Sequence, residues 1–284
     1  MRKILIRWVG LVMFGGILLA NTPIQIKGSD TMVNLVQKLA EVYMQQNTKV
    51  SISVIGGGSG TGISALINQK TDICNSSRLI QPKELAQCKQ KGIAVKEIII
   101  AVDALSVIIN ASNPLNQLPM DKIGAIFRGE ITNWKQVGGP DKVITLYGRQ
   151  SNSGTFSFFR EHVLKGEYSD KMLQMNGNSQ IVEAVRHDSA AIGYVGVAYA
   201  AENDKPLRGL KILNVSAKQG DIAYSPLVEA NIISNKYPVS RGLNQYISAK
   251  SGKTVQDFIN FELSVQGQKI VTGEGFYGVK DQQK

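Results

Sequence analysis

Three loops of this 284-residue chain combine glycine with hydroxyl residues, and each follows a predicted strand and precedes a predicted helix. They are Gly28–Thr31, Gly56–Gly62 and Arg149–Thr155. A helix N-terminus presents unpaired backbone N–H groups and a partial positive charge. Glycine allows a ligand to approach the backbone closely, and Ser and Thr hydroxyls add donors that can rotate. These features together predict a site for a small tetrahedral oxyanion.

The third loop also carries a positive charge. Arg149 stands at its start, and a guanidinium fork can hold two oxygens of an anion at once. Taken singly, each loop has a simpler interpretation. Ser29, Asp30 and Ser153 are residue types that cap helices, and glycine-rich loops are usually turns. The hypothesis of an anion site therefore depends on all three loops converging on one cleft.

The glycine-rich second loop invites comparison with nucleotide-binding motifs. A P-loop ends in Gly-Lys-Ser/Thr, but Thr61–Ile63 reads Thr-Gly-Ile and supplies no lysine. A dinucleotide fingerprint also fits poorly, because Ile63 stands where its last glycine should be. The sequence therefore argues against a nucleotide site.

Composition limits the other kinds of site. Lys and Arg number 32 against 22 Asp and Glu, and the net charge of +10 favours anionic partners. The 43% of hydrophobic residues is enough for a packed core. Two His and two Cys are too few for a structural zinc site or a His-rich catalytic metal centre, so we expect no metal and no cofactor. His162 and His187 lie beside no nucleophile motif, and we expect structural or surface roles for them.

The elements that must position these loops alternate between strand and helix. Val50–Ile55 reads V-S-I-S-V-I, which is the two-residue period of a strand. Before it, apolar residues recur at helical spacing between Met32 and Tyr43. The alternation repeats in the second half of the chain, where Val143–Arg149 reads as a strand and Thr155–Leu164 as a helix. This order predicts an α/β sheet rather than a sandwich.

We expect two lobes with a cleft between them. The β-branched stretch Ile93–Ile109, interrupted by Asp103, is too long for one ordinary strand, and a strand that crosses between two domains would explain it. We predict a discontinuous first lobe, residues 21–103 and 225–284, and a second lobe, residues 104–224. Clefts between domains are common ligand sites.

The first twenty residues are typical of an export signal. A cationic start precedes the apolar run Trp8–Ala20. We predict a signal peptide over residues 1–20, and an uncleaved membrane anchor is the alternative. The protein would then act in the periplasm or elsewhere outside the cytoplasm. There Cys74 and Cys88 could form a disulfide, and the alternative is two separate buried thiols.

Several segments, in this order and spacing, resemble the phosphate-binding proteins of bacterial high-affinity phosphate ABC importers. The segments are Gly28–Met32, Gly57–Gly62, Asp72–Arg78, Ile126–Gly129 with Asn133–Trp134, Arg149 with Ser153–Thr155, and Ala191–Gly196. The resemblance covers most of the chain, from about Ile24 to Tyr277. It implies an α/β, two-lobed periplasmic-binding-protein fold of type II, with two crossover hinge strands and closure on the ligand.

The resemblance also implies a function. We expect an extracytoplasmic solute-binding protein, not an enzyme, that captures inorganic phosphate between its lobes and delivers it to the membrane permease of an ABC importer. We expect a monomer with no nucleic-acid partner. A binding protein for another tetrahedral oxyanion is the alternative. A phosphate-ester hydrolase is a weaker alternative, because the sequence offers neither a carboxylate cluster nor enough histidines for a metal pair.

Carried over position by position, the resemblance implies a set of phosphate contacts. They are Ser29, Asp30, Thr31, Ser59, Ser77, Arg78, Arg149, Ser153, Gly154 and Thr155. One departure from the family affects selectivity. Some members place an Asp where Ser77–Arg78 stands, and that carboxylate accepts the proton of hydrogen phosphate and helps to reject sulfate. Here the Ser77 hydroxyl is a weaker acceptor and Arg78 is none, which leaves Asp30 as a possible substitute.

Overall fold

Thirteen strands and ten α-helices lie along residues 22–279, the part of the chain that the computed structural model describes. The strands are β1 Thr22–Gly28, β2 Val50–Ile55, β3 Ile73–Ser76, β4 Val95–Asn110, β5 Gln117–Pro119, β6 Thr145–Arg149, β7 Leu173–Met175, β8 Ala191–Gly196, β9 Ala201–Glu202, β10 Lys205–Pro206, β11 Leu210–Ile212, β12 Asn214–Ser216 and β13 Ser240–Ser248. The helices are α1 Val33–Gln46, α2 Ser59–Ile67, α3 Pro82–Gln90, α4 Met120–Phe127, α5 Gly154–Phe159, α6 Asn178–His187, α7 Val197–Ala200, α8 Glu229–Ile233, α9 Lys253–Glu262 and α10 Val265–Gly273.

Nine of the strands form one continuous sheet in the order β2-β1-β3-β13-β4-β8-β6-β7, with β11 also paired to β4. At one end β1 runs parallel to both β2 and β3. At the other end β6 runs parallel to both β7 and β8. Between these two parallel groups, β4 and β13 pair antiparallel to each other and to their outer neighbours. Each parallel group aligns the carboxyl ends of its strands, and loops at those ends are where α/β sheets bind ligands.

Two strands therefore connect the lobes. The long strand predicted over Ile93–Ile109 is β4, which runs for 16 residues. Between Val95 and Ala104 it pairs with β13, with a bulge at Ile100, and from Leu105 to Ile109 it pairs with β8. The change of partner occurs next to Asp103, which is fully buried. The fold is the two-lobed α/β architecture with crossover strands that the sequence predicts.

Each lobe has its own apolar core. In the first, α1 turns Leu35, Leu39 and neighbouring apolar residues toward the sheet, where they pack with Ile26 and Phe258. In the second, the core is built on aromatic residues, and it includes Phe127, Trp134, Phe159 and Tyr194. Burial of these side chains supplies most of the driving force for folding each lobe.

The division into lobes stays a proposal, with residues 21–103 and 225–284 in the first and 104–224 in the second. Packing favours a later return to the first lobe. Ile232, Tyr237 and Val239 belong to the aromatic core of the second lobe. We therefore propose that the chain crosses back at the start of β13.

The expected disulfide is not formed. Cys74 and Cys88 are free thiols, and both are fully buried. They lie in an apolar cluster with Ile63, Leu66 and Tyr246, so both side chains serve packing instead. Burial raises the pKa of each thiol, which keeps both protonated. The structure therefore agrees with the alternative of two separate buried thiols.

Other differences are local. The helix predicted over Thr155–Leu164 is α5 followed by one π-helical turn, Arg160–Leu164.

The predicted signal peptide lies outside the described residues. Within residues 22–279, no helix has both the length and the apolar character needed to cross a bilayer.

Candidate functional site

The three glycine and hydroxyl loops meet between the lobes. The second and third loops contact each other directly through Asn152, whose carbonyl accepts from the Gly60 amide at 3.0 Å and whose side-chain amide donates to the Gly57 carbonyl at 2.9 Å. Glycine is required at Gly58, because its φ is +93° and a Cβ there would lie 2.7 Å from the Asn152 carbonyl oxygen. The convergence that the anion-site hypothesis needs is therefore present.

Four hydroxyl side chains face one another across this junction. Thr31 Oγ1 and Thr155 Oγ1 are 3.1 Å apart, and Ser59 Oγ and Ser77 Oγ are 3.4 Å apart. Each of the four residues is at most 1% exposed. Gly154 closes the group, since a Cβ on it would lie 2.3 Å from Ser59 Oγ and 2.7 Å from Ser77 Oγ. These five predicted residues therefore form one buried cluster.

Arg149, at the start of the third loop, carries a positive charge where the loops meet. Its Nη2 donates to Asp30 Oδ2 at 2.5 Å and to the Asn176 carbonyl at 2.8 Å. Its Nε and Nη1 are buried and have no partner within residues 22–279. An unsatisfied buried donor is costly, and more so on a charged group. The guanidinium is thus prepared to receive oxygens of an anion.

Aromatic packing holds Arg149 in place. Its backbone amide donates to the Tyr194 hydroxyl at 3.2 Å, and that hydroxyl lies 2.9 Å from the Tyr168 hydroxyl. The Tyr194 ring stacks on Phe159 with centroids 4.0 Å apart. Burial raises the pKa of Tyr194 to about 12, so the phenol stays neutral and keeps its hydrogen-bonding proton.

Asp30 joins all three loops. Besides pairing with Arg149, it accepts from the Gly57 amide at 2.8 Å through Oδ1. Its carboxylate therefore binds the other two loops and does not cap a helix. Ser153 does act as a cap, because its Oγ accepts from the Phe156 amide at 3.4 Å. Ser29 is 2% exposed and its amide donates to the Asn75 carbonyl at 2.9 Å, so the backbone of the first loop is tied to the end of β3.

Arg78 is not brought into this group. Its guanidinium makes a bidentate pair with Glu84 in α3, with both N–O distances at 2.8 Å, and also donates to the Leu79 carbonyl. Burial acts to raise the pKa of Glu84, but hydrogen bonds from Arg78 and from the Gln81 amide outweigh it and lower the pKa. The contact expected of Arg78 is therefore corrected: the side chain secures the start of α3.

Three residues that the sequence reasoning missed also belong to the site. Asn178, at the start of α6, is 2% exposed and points its Nδ2 at Thr31 Oγ1, 3.5 Å away, while its Oδ1 has no partner within the described chain. Arg241 in β13 donates to Thr155 Oγ1 at 3.0 Å and pairs with Asp103 at 2.8 Å. In the sequence, an Asn at a helix start is typical of a cap, and a single Arg in a strand is not distinctive. Only Asp103 could have been identified, because it is a charged residue that interrupts an apolar strand.

The chemistry of this lining is that of an anion binder. Hydroxyls, an amide and guanidinium nitrogens supply donors, and Asp30 is the carboxylate that faces them. Among residues 22–279, no group of three or more His, Cys, Asp and Glu side chains is placed to hold a metal ion. His162 stacks on Phe158 with centroids 4.1 Å apart, and His187 is largely exposed. Neither histidine contacts the hydroxyl cluster.

Comparison with known proteins agrees with this geometry. A family model described as a PBP superfamily domain matches residues 19–266. The phosphate-binding protein PstS of Borreliella burgdorferi is 31% identical over 266 residues, which is 90% of each chain. Protein SphX of Synechococcus elongatus is 32% identical over 252 residues, 85% of this chain and 73% of SphX. Among solved structures, a protein from Clostridium perfringens assigned as a phosphate ABC transporter substrate-binding protein, with bound phosphate, superposes with a TM-score of 0.80 at 28% identity. That match covers 91% of this chain and all of the other.

Proposed function

The chain belongs to the PBP superfamily, a family of binding proteins rather than enzymes, and from that premise we propose that it captures inorganic phosphate between its lobes and delivers it to the permease of an ABC importer. The observation that carries the proposal is Arg149, whose Nε and Nη1 are buried without a partner in the described chain. Asp30, the residue that Arg149 pairs with, belongs to the same loop as the Thr31 hydroxyl, and Thr155 belongs to the loop of Arg149. Phosphate-binding relatives of 31% identity support the choice of ligand.

A tetrahedral oxyanion suits this lining because it offers several oxygens in different directions. Thr31 and Thr155 form one pair of donors and Ser59 and Ser77 another, and the free guanidinium nitrogens add charge-assisted bonds. We propose that all of the residues expected as contacts take part except Arg78, and that Asn178 joins them. Ser153 contributes by capping α5.

Asp30 is the proposed acceptor for the proton of hydrogen phosphate. It takes the part that an Asp at the Ser77–Arg78 position plays in some relatives. Its Oδ2 lies beside Arg149 Nη2, at the group that would hold the anion, and it retains lone pairs beyond the one used in that contact. Sulfate has no proton to offer, so it would leave this carboxylate facing an unprotonated oxygen.

The setting of this function is also part of the proposal. We place the protein in the periplasm or elsewhere outside the cytoplasm, after removal of a signal peptide, as a monomer with no nucleic-acid partner. Closure of the lobes would bury the anion and present a closed shape to the permease.

Isothermal titration with phosphate and with sulfate tests the ligand. We expect tight phosphate binding and much weaker sulfate binding at neutral pH. Equal affinity for the two would favour the alternative of a general tetrahedral-oxyanion binder, and binding of neither would reject both. Phosphorus analysis of the denatured, purified protein gives an independent check, because a tight binder retains its ligand through purification.

A further inference from the structure

Arg241 occupies a position between the lobes that the anion contacts do not use. Its side chain leaves the crossing strand β13 and is 6% exposed. Nε and Nη2 donate to Asp103 Oδ2 at 3.1 and 2.8 Å, and Nη1 donates to the Ser77 carbonyl at 3.0 Å. Nη2 also donates to Thr155 Oγ1 at 3.0 Å. Every nitrogen of the guanidinium therefore has a partner, and four of its five N–H donors are used within the protein.

These partners come from both lobes. Ser77 follows β3 in the first lobe, while Thr155 belongs to α5 in the second. The Arg241 guanidinium also lies over the ring of Phe158 in α5, 5.3 Å from its centroid. A side chain of fixed length can reach the two site loops together only where the lobes stand close. Arg241 thus joins the lobes directly behind the hydroxyl cluster.

Asp103 balances the charge of Arg241. Its carboxylate is fully buried in β4, and its Oδ1 accepts from the Val197 amide at the start of α7 at 3.2 Å. The pair thereby links both crossing strands to the second lobe. Because the two charges cancel, Arg241 adds little net field to the anion site, and its effect there is geometric.

The bond to Thr155 fixes what that hydroxyl can do. A hydroxyl has one hydrogen and two lone pairs. Since Thr155 Oγ1 accepts from Arg241, its own hydrogen points away from the guanidinium, toward Thr31 Oγ1 at 3.1 Å or toward an anion oxygen that takes its place. Arg241 therefore orients Thr155 as a donor toward the hydroxyl cluster.

We propose that Arg241 is a positioning residue that holds the two lobes closed over the bound anion and sets how long the anion stays. This inference rests on the proposed phosphate-binding function. It assigns Arg241 no contact with phosphate and makes the Thr155 hydroxyl the group through which it acts.

The test is a double-mutant cycle between Arg241→Lys and Thr155→Ala. Lysine keeps a positive charge for Asp103, which avoids a buried unpaired carboxylate, but its single nitrogen cannot reproduce the fork that holds Ser77 and Thr155 together. Stopped-flow kinetics would measure phosphate association and release. For R241K we expect release to be faster by about 10-fold to 100-fold, as for loss of one charge-assisted hydrogen bond, with little change in association.

In the Thr155→Ala background, R241K should change release by no more than about 3-fold, because the partner of the lost bond is already absent. The matched control is Arg128→Lys. Arg128 also holds a carboxylate, Glu130, and a carbonyl, that of Leu164, but both lie in the same lobe as the arginine. We expect this control to release phosphate at the wild-type rate.

Unchanged release in R241K, or an effect of equal size with and without the Thr155 hydroxyl, would overturn the inference while leaving the proposed function intact. Failure of the wild-type protein to bind phosphate would overturn both. Should R241K not fold, the uncharged double variant Asp103→Asn with Arg241→Gln takes its place, and faster release is again the required result.

Discussion

Asp30 and Arg149, which are 119 residues apart in the chain, bring their carboxylate and guanidinium to 2.5 Å of each other across the junction of the lobes. The carboxylate is partly exposed and the guanidinium is almost fully buried. Arg149 uses Nη2 for this pair and for the Asn176 carbonyl, while Nε and Nη1 have no partner within residues 22–279. One ion pair thus both joins the lobes and leaves charge available for a ligand.

Replacing Arg149 should weaken phosphate binding severely. In R149A the site loses its charged donors, and the expected cost is about 2–5 kcal/mol, or roughly 30-fold to several-thousand-fold in Kd. Isothermal titration measures the change. Arg160→Ala removes an exposed arginine of the same lobe, which approaches Glu167 no closer than 3.6 Å, and should leave Kd unaltered. Wild-type affinity in R149A would remove Arg149 from the site.

Asp30→Asn should reduce the preference for phosphate over sulfate, measured as the ratio of their binding affinities. The amide oxygen can still accept from the Gly57 amide, but it is a weaker acceptor for the proton of hydrogen phosphate. We expect phosphate affinity to fall by about 10-fold or more while sulfate affinity falls less. Competition titrations give the ratio. A ratio equal to that of the wild-type protein would show that Asp30 has no part in selectivity.

Gly154→Ala should prevent tight closure. The added methyl would lie 2.3 Å from Ser59 Oγ, so the second lobe must move away from the first or the serine must leave its place. We expect weaker phosphate binding by at least about 10-fold, as for a lost or distorted donor in a buried site. Gly273→Ala is the control, because a Cβ there meets nothing within 4 Å. Equal affinities of the two variants would contradict the tight approach of α5 to Ser59.

The free energy of unfolding should fall as pH rises, because the Glu262 carboxyl is buried and holds its proton in the folded state. Burial raises the pKa of this carboxyl well above its ordinary 4.5, and Gln245 Nε2 donates to its Oε1 at 3.0 Å. The folded state keeps a proton that the unfolded chain releases above about 4.5, so the free energy of unfolding falls from there up to the raised pKa. The other oxygens of this pair, Glu262 Oε2 and Gln245 Oε1, lack partners in the described chain unless the carboxyl is protonated and donates.

Glu262→Gln removes that titration and retains a group able to donate to Gln245. We expect the free energy of unfolding of the variant to rise relative to that of the wild-type protein between pH 5 and pH 8. The gain is about 1.4 kcal/mol for each pH unit crossed below the raised pKa, and a few kcal/mol at most. Urea denaturation at several pH values measures the difference. The exposed Glu167→Gln serves as control, and parallel pH profiles for E262Q and the wild-type protein would contradict a neutral Glu262.

The sequence predicts much of the site because its loops are local features. Glycine, hydroxyl and helix-start signals are contiguous, so the three loops and Arg149 can be identified without a structure. The resemblance then orders them around one ligand. What it cannot supply is the pairing of side chains distant in the chain. Arg241 meets Asp103 across 138 residues, and whether Arg78 faces the ligand or Glu84 depends on how α3 sits.

The two buried thiols have a practical consequence. Cys74 and Cys88 are the only cysteines in the whole sequence, and both are shielded from solvent and held in the unreactive protonated form. A cysteine introduced on each rim of the cleft would therefore take a fluorescent label selectively in the native protein. Opening and closing of the lobes can then be followed by energy transfer without first removing the natural cysteines.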